Sequence, residues 1–248
     1  MKAIILSAGQ GRRLLPLTED TPKCLLHLSG RSLLEWQLRA LAAGGVDEAV
    51  VVTGFKADRV EEAIGRSSSA IKVRALHNPF FAVADNLASC WIARNEMDGE
   101  FLILNGDTLI EPRIVTRLVG ERARAAITVT VDRKRAYDAD DMKVSLDGDR
   151  LIRIGKVLPE DVPIDGESIG FLRFSPEGGR LFTAELERTI RSNTGLCLWY
   201  LSAIDRMAQA GCDIATRSIE GLDWGELDDA DDLETDQRMT DEWVERGL

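Results

Sequence analysis

The chain has 248 residues, 44% of them apolar, and a formal net charge of −11. That length and content allow one large α/β domain with a sizeable core, and the acidity excludes a general nucleic-acid binder, which needs a cationic face to exchange for counterions. The charge is unevenly placed: residues 1–40 hold six basic and three acidic side chains, residues 221–248 two basic and eleven acidic, which suits a site shared by an anion and a metal ion.

The apolar run Ala3 to Leu6 predicts a buried strand that empties into a loop with Gly9, Gly11, Arg12 and Arg13, followed by Thr21-Pro22-Lys23. Glycines let backbone N–H groups approach an anion and the basic side chains supply fixed positive charge, so this opening is built to hold phosphate. Ser32 is positioned to cap a helix through Leu33, Trp36 and Leu41 that stops at Gly44-Gly45. Strands are predicted at Ala49 to Thr53, Ile71 to Leu76, Phe101 to Leu104 and Ala126 to Val131, and helices at Asp58 to Ile64, Leu87 to Met97 and Pro112 to Val119. This alternation predicts a mostly parallel, Rossmann-like sheet flanked by helices, with its ligand at the carboxyl ends of the strands.

From Tyr137 the pattern changes to a hairpin, Met142 to Leu146 and Leu151 to Ile154 about a turn at Asp147-Gly148-Asp149. A strand at Ser168 to Phe174, helices at Glu177 to Arg191 and Leu196 to Ala210, and a strand at Asp213 to Ser218 follow, with a last acidic helix from Ala230 to Arg246. The four cysteines, Cys24, Cys90, Cys197 and Cys212, lack Cys-x-x-Cys spacing, so reduced thiols and a cytoplasmic location are expected. The opening strand reaches its glycine loop too soon for a signal peptide, and no apolar run is long enough for membrane insertion. His27, between Leu25 and Leu28, is expected to be packed, as are Trp36 and Trp243.

The loop is neither a P-loop, for want of Gly-Lys-Ser or Gly-Lys-Thr, nor a dinucleotide fingerprint, since Leu14 stands where the third glycine belongs, which also disfavours a dehydrogenase. Asp107, just past the apolar strand ending in Asn105-Gly106, sits at the expected ligand edge. Glu226 and Asp228 are two residues apart, so in an extended segment their carboxylates face the same side. Asp107, Glu226 and Asp228 therefore form a hard-oxygen set for Mg²⁺, while Asp229, Asp231 and Asp232 read as a helix start.

Strand, glycine loop, Pro16-Leu17-Thr18 and Thr21-Pro22-Lys23 together resemble the signature of nucleotidyltransferases that join a nucleoside monophosphate to a phosphorylated sugar or alcohol and release pyrophosphate. Asn78-Pro79, Asp85 to Ser89, Asp141 to Val144, Ile154-Gly155-Lys156, Glu167 to Gly170 and Trp224 to Asp228 are similar to bacterial phosphocholine cytidylyltransferases, although Asp85 stands where that branch carries asparagine. The resemblance implies a single nucleotidyltransferase domain over residues 1–248, with a nucleotide-binding core at 1–135, an acceptor part with the hairpin and helices at 136–222, and a metal-ligand segment with a terminal helix at 223–248.

It further implies CTP and a small phosphorylated alcohol, phosphocholine foremost, as substrates. An aminoalkylphosphonate, an inositol phosphate or a sugar 1-phosphate are alternative acceptors, and a non-catalytic nucleotide-binding relative is the alternative of another class. Lys23 is assigned to the α-phosphate, Arg12 and Arg13 to the departing β and γ groups, and Lys156 to the attacking phosphate. The nucleotide is expected at Ala8, Gly9, Gly11, Asn86, Ser89 and Gly106, and the acceptor at Tyr137, Asp141, Lys156, Glu167, Trp199 and Tyr200. No nucleic-acid or membrane partner is implied, and the protein is expected to be a monomer or homodimer.

Overall fold

Lys2 to Ser7 alternate little in polarity and are almost entirely buried, as a strand covered on both faces must be. In the computed structural model, which describes residues 1–120 and 125–248, this strand is β1 (Lys2–Ser7). It is followed by the short pair β2 (His27–Leu28) and β3 (Arg31–Ser32), then α1 (Leu33–Ala43), β4 (Glu48–Thr53), α2 (Ala57–Arg66) and β5 (Lys72–His77). Next come α3 (Asn86–Ile92), β6 (Phe101–Asn105), β7 (Thr108–Ile110), α4 (Pro112–Val119), β8 (Ile127–Asp132), β9 (Lys143–Asp147), β10 (Arg150–Gly155) and β11 (Gly166–Phe174). The chain continues through α5 (Pro176–Ile190), α6 (Leu201–Gln209), β12 (Ile214–Ser218), β13 (Trp224–Glu226) and α7 (Ala230–Glu245). These elements form an α/β fold of two compact units, one comprising Met1–Ala82, Leu104–Thr116 and Leu222–Leu248, the other Val83–Ile103 and Arg117–Gly221.

In the first unit β4 lies between β1 and β5, all parallel, in the register Ile5↔Val51 and Val51↔Ala75. The crossover helix α1 starts where Ser32 and Glu35 form a reciprocal capping box, which satisfies two backbone N–H groups that the first helical turn cannot pair. Beneath the opening loops, Leu14, Leu26, Leu28, Leu33, Trp36, Leu109, Leu227 and Trp243 make one buried cluster. Trp36 and Trp243 meet edge to face at 5.7 Å, and each indole N–H finds an acceptor, Leu28 O and Asp223 respectively. Each such side chain contributes about 1.5–3 kcal/mol on burial.

In the second unit β8 pairs antiparallel with β11 and parallel with β12, while β9 and β10 form the expected hairpin. Its core stacks Phe101 on Phe174 at 4.7 Å, then Phe182 and Tyr200. No disulfide forms among the described cysteines, and no helix among the described residues is long and apolar enough to cross a membrane.

Two expectations are corrected. The helix predicted from Leu196 begins at Leu201, because the carbonyls of Leu196 and Leu198 accept from Asp85 N–H and Leu87 N–H at the start of α3 and so are not available to a helix. His27 is exposed, because in β2 it alternates with Leu26 and Leu28, which turn into the core.

Candidate active site

The opening loop folds back on itself over the Lys23 side chain. Gly11 sits at φ +75°, and its carbonyl accepts from Leu14 N–H and from the buried Thr18 hydroxyl at 2.8 Å. A Cβ at Gly11 would come within 3.0 Å of the Lys23 stem, so both the left-handed backbone and the close approach require glycine. Gly9 is exposed, Ala8 is buried with its carbonyl held by Phe55 N–H, and the guanidinium of Arg12 is exposed with no ion pair among the described residues.

Lys23 is the centre of the site. Its ammonium lies 3.0 Å from an Asp107 carboxylate oxygen and is also bonded to Asp228, which in turn pairs with Arg13. Burial alone would push the ammonium down, but the two carboxylates outweigh it and hold Lys23 above the usual lysine range. The apolar cluster explains how residues 84 and 205 positions from Lys23 arrive here. Leu26, Leu109 and Leu227 each stand one to three positions from Lys23, Asp107 and Asp228, and burying the leucines gathers the charges at the rim.

A two-stranded ladder fixes the register. Antiparallel β7 and β13 pair Thr108 with Glu226, and Leu227 N–H donates to Asp107 O at 3.0 Å, so residues 226–228 run beside Asp107. The start of α7 then locks Asp228 in place: Asp229 accepts from the N–H groups of Asp231 and Asp232, while the Asp232 carboxylate accepts from those of Asp228 and Asp229. That capping box confirms Asp229, Asp231 and Asp232 as a helix start.

Of the three carboxylates expected around a metal, the structure brings two together. Glu226 is exposed on β13, and no group of three histidine, cysteine or carboxylate side chains among the described residues is arranged to hold a metal ion. Asp107 and Asp228 nevertheless already share one cation, the Lys23 ammonium, and are hard-oxygen donors. One or two carboxylates completed by substrate phosphates are what Mg²⁺ requires, so the donor set fits that ion.

Gly106 lets this edge close on the opening strand. Its N–H donates to Leu6 O at 3.1 Å, and a Cβ there would lie 2.4 Å from that same oxygen and 2.7 Å from Ser7 Cα. Gly106→Ala should therefore lower unfolding stability by about 1–3 kcal/mol in denaturant titrations. Gly9→Ala, with nothing within 4 Å of its added carbon, should leave the midpoint in place. Equal midpoints for both variants would contradict the packing described.

The second unit holds the remaining predicted residues. Lys134 bridges Asp141 and Glu167, 2.9 Å from each. Burial raises the Glu167 carboxyl, Lys134 pulls it back and Asp141 pushes with burial, leaving it at about 7. Burial also pushes on Asp141, but Lys134 and the Asp138 N–H outweigh it and hold that carboxyl below the usual range. Tyr137 stands beside them, its hydroxyl accepting from Lys134 N–H. Lys156 pairs with Asp140 at 2.9 Å and lies 4.7 Å above the half-exposed ring of Trp199. The buried Lys143, unassigned from sequence, joins the two groups by donating to the carbonyls of Asp138, Asp141 and Lys156.

Tyr200 and Ser89 are buried, and Asn86 is partly engaged within the unit. Tyr200 is wholly buried against Phe182 and presents no ring to a ligand, because it stands at the cap of α6 and turns inward. Ser89 is buried on the inner face of α3, and Asn86 uses its Oδ1 to accept from Tyr200 N–H at 2.9 Å.

Residues 2–141 match the nucleotidyl transferase family. The chain is 29% identical over 248 residues to the CMP-5'-(3-aminopropyl)phosphonate synthase of Streptomyces rubellomurinus, covering 97% of this chain and 38% of that protein. It is 26% identical over 192 residues to the CTP:phosphoglutamine cytidylyltransferase of Campylobacter jejuni, covering 71% of this chain and 73% of that one. In three dimensions it is similar to the CTP:phosphocholine cytidylyltransferase of Streptococcus pneumoniae, with a TM-score of 0.75 at 19% identity, covering 96% of this chain and 98% of that one. The last likeness speaks to fold alone, and the chain spans well under half the length of the first relative. The chain belongs to the nucleotidyl transferase family.

Proposed function

We propose that the chain is a Mg²⁺-dependent cytidylyltransferase that transfers CMP from CTP to the phosphate or phosphonate of a small molecule with a cationic head, phosphocholine foremost, and releases pyrophosphate. The observation that carries the reading is the shared cluster of Lys23, Asp107 and Asp228 under a glycine loop. Asp107 and Asp228 would hold Mg²⁺, which when bound would supply Lewis-acid charge to the phosphates. Lys23, kept protonated, neutralises charge on the α-phosphate, and Arg12 and Arg13 hold the oxygens that leave. No general base is needed, because a phosphate monoester with a second pKa of about 6 is already ionised near neutrality. The Asn86 amide group not engaged by Tyr200 is a donor for a pyrimidine carbonyl.

Asp141 and Glu167 are assigned to the cationic head, with Trp199 and Lys156 beside the acceptor's anion and stem. Both phosphocholine and an aminoalkylphosphonate place a small cation behind an anion, and CMP transfer to the latter kind of acceptor is what the Streptomyces relative's name describes. The deciding experiment is a matrix of four nucleoside triphosphates against a dozen phosphorylated alcohols and phosphonates with Mg²⁺, read as pyrophosphate release. CTP with a cationic acceptor should lead; silence from every pair would remove the enzyme reading.

The Glu167 carboxyl adds a pH signature. It is neutral below about 7 and anionic above it, so kcat/KM for a cationic acceptor should rise as pH passes upward through about 7. A neutral-headed acceptor with the same phosphate should lack that limb, and Glu167→Gln should remove it while raising KM about tenfold, equivalent to about 1.4 kcal/mol. Identical pH profiles for the two acceptors would assign the head elsewhere.

A further inference from the structure

We propose that Gln37 is a positioning residue for Asp107, a role that rests on reading Asp107 as a metal ligand. On α1 the buried face is Leu33, Leu34, Trp36, Leu38, Ala40 and Leu41, and Gln37 is the one side-chain amide among them, 0% exposed. Its Nε2 donates to the carbonyls of Asn105 and Thr108, each at 2.8 Å. These carbonyls flank Gly106-Asp107, so one side chain ties both ends of the turn that carries the carboxylate. Carbonyls only accept, so the two bonds use both amide protons and fix which way the amide faces.

The cost of this arrangement points to its purpose. The Gln37 Oε1 is buried with no hydrogen-bond partner, a cost set against the bonds that an apolar side chain in the stripe would take from the two turn carbonyls. The other two ties on the turn, Gly106 N–H to Leu6 O and Leu227 N–H to Asp107 O, are backbone bonds that many sequences would supply. Gln37 is thus the side chain through which α1 sets where Asp107 meets Lys23 at 3.0 Å. Its hydrogen bonds run to the backbone on either side of Asp107, so it acts through the turn.

The test is a titration of the intact chain with Mn²⁺ alone, free Mn²⁺ being read by electron paramagnetic resonance, on wild type, Gln37→Met, Asp107→Asn and the double variant. Gln37→Met should weaken Mn²⁺ binding tenfold or more, and the double variant should bind within twofold of Asp107→Asn, because Gln37 has nothing left to position. Additive losses, or Mn²⁺ binding by Gln37→Met within twofold of wild type beside a lowered thermal midpoint, would reduce Gln37 to a packing role. If Gln37→Met does not fold, Gln37→Asn keeps the donors on a stem one methylene shorter, and the same non-additivity with Asp107→Asn is expected. If the wild-type chain binds no Mn²⁺ alone, the same four proteins are compared with CTP present, and failure of the wild type there would remove the metal reading itself.

Discussion

Replacing Lys23 by alanine is expected to lower turnover at least a thousandfold while the chain stays folded. The side chain is only 12% exposed, so its charge acts across a poorly screened site where a fixed donor to developing anionic charge is worth about 3–4 kcal/mol, or roughly 10²–10³ in rate. Removing it also takes from Asp107 its counter-charge and leaves Asp228 to Arg13, which disturbs the resting geometry and adds to the loss. The leucine and tryptophan cluster below is untouched, and circular dichroism should confirm the fold. Pyrophosphate release within tenfold of wild type would count against the assigned role.

The second large effect belongs to Asp228. Its carboxylate holds Lys23 and Arg13, whereas Asp107 holds Lys23 alone among the pairs described. Asp228→Asn should cut turnover by about a thousandfold, as loss of a ligand to the catalytic metal does on this reading, yet bind CTP more tightly than wild type when metal is chelated. Removing one negative charge that competes with the triphosphate for Lys23 and Arg13 should improve that affinity about tenfold, or about 1.4 kcal/mol. Asp107→Ala should lose turnover to a similar degree with a smaller gain in metal-free affinity. Calorimetry in chelator that shows weaker CTP binding by Asp228→Asn would place the triphosphate elsewhere.

Much of the fold is written in local patterns. The run Ala3 to Leu6, the Ser32 to Glu35 spacing and the Val-rich Ala49 to Thr53 each signal their element within a few residues, and all three stand where expected. What local patterns do not carry is pairing over distance. Three-residue strands such as β7 and β13 are too short to announce themselves, and their ladder joins segments more than a hundred positions apart. The same holds at Leu196, where demand from the backbone of α3 overrode a helical pattern. In the site, the meeting of Lys23 with Asp107 and Asp228 is an ion-pair geometry that residue type and motif do not state, and period-two spacing of Glu226 and Asp228 fixes a side and not a distance. Gln37 left a readable trace, a lone amide in an apolar helical stripe.

Among the described ion pairs, Arg13 and Lys23 stand against Asp107 and Asp228, two positive groups facing two negative ones. A change at any one of the four therefore exposes an opposite charge in its partners. Over evolutionary time these positions should drift as a block, so a descendant that abandoned catalysis would be expected to shed its acids and bases together and not one by one.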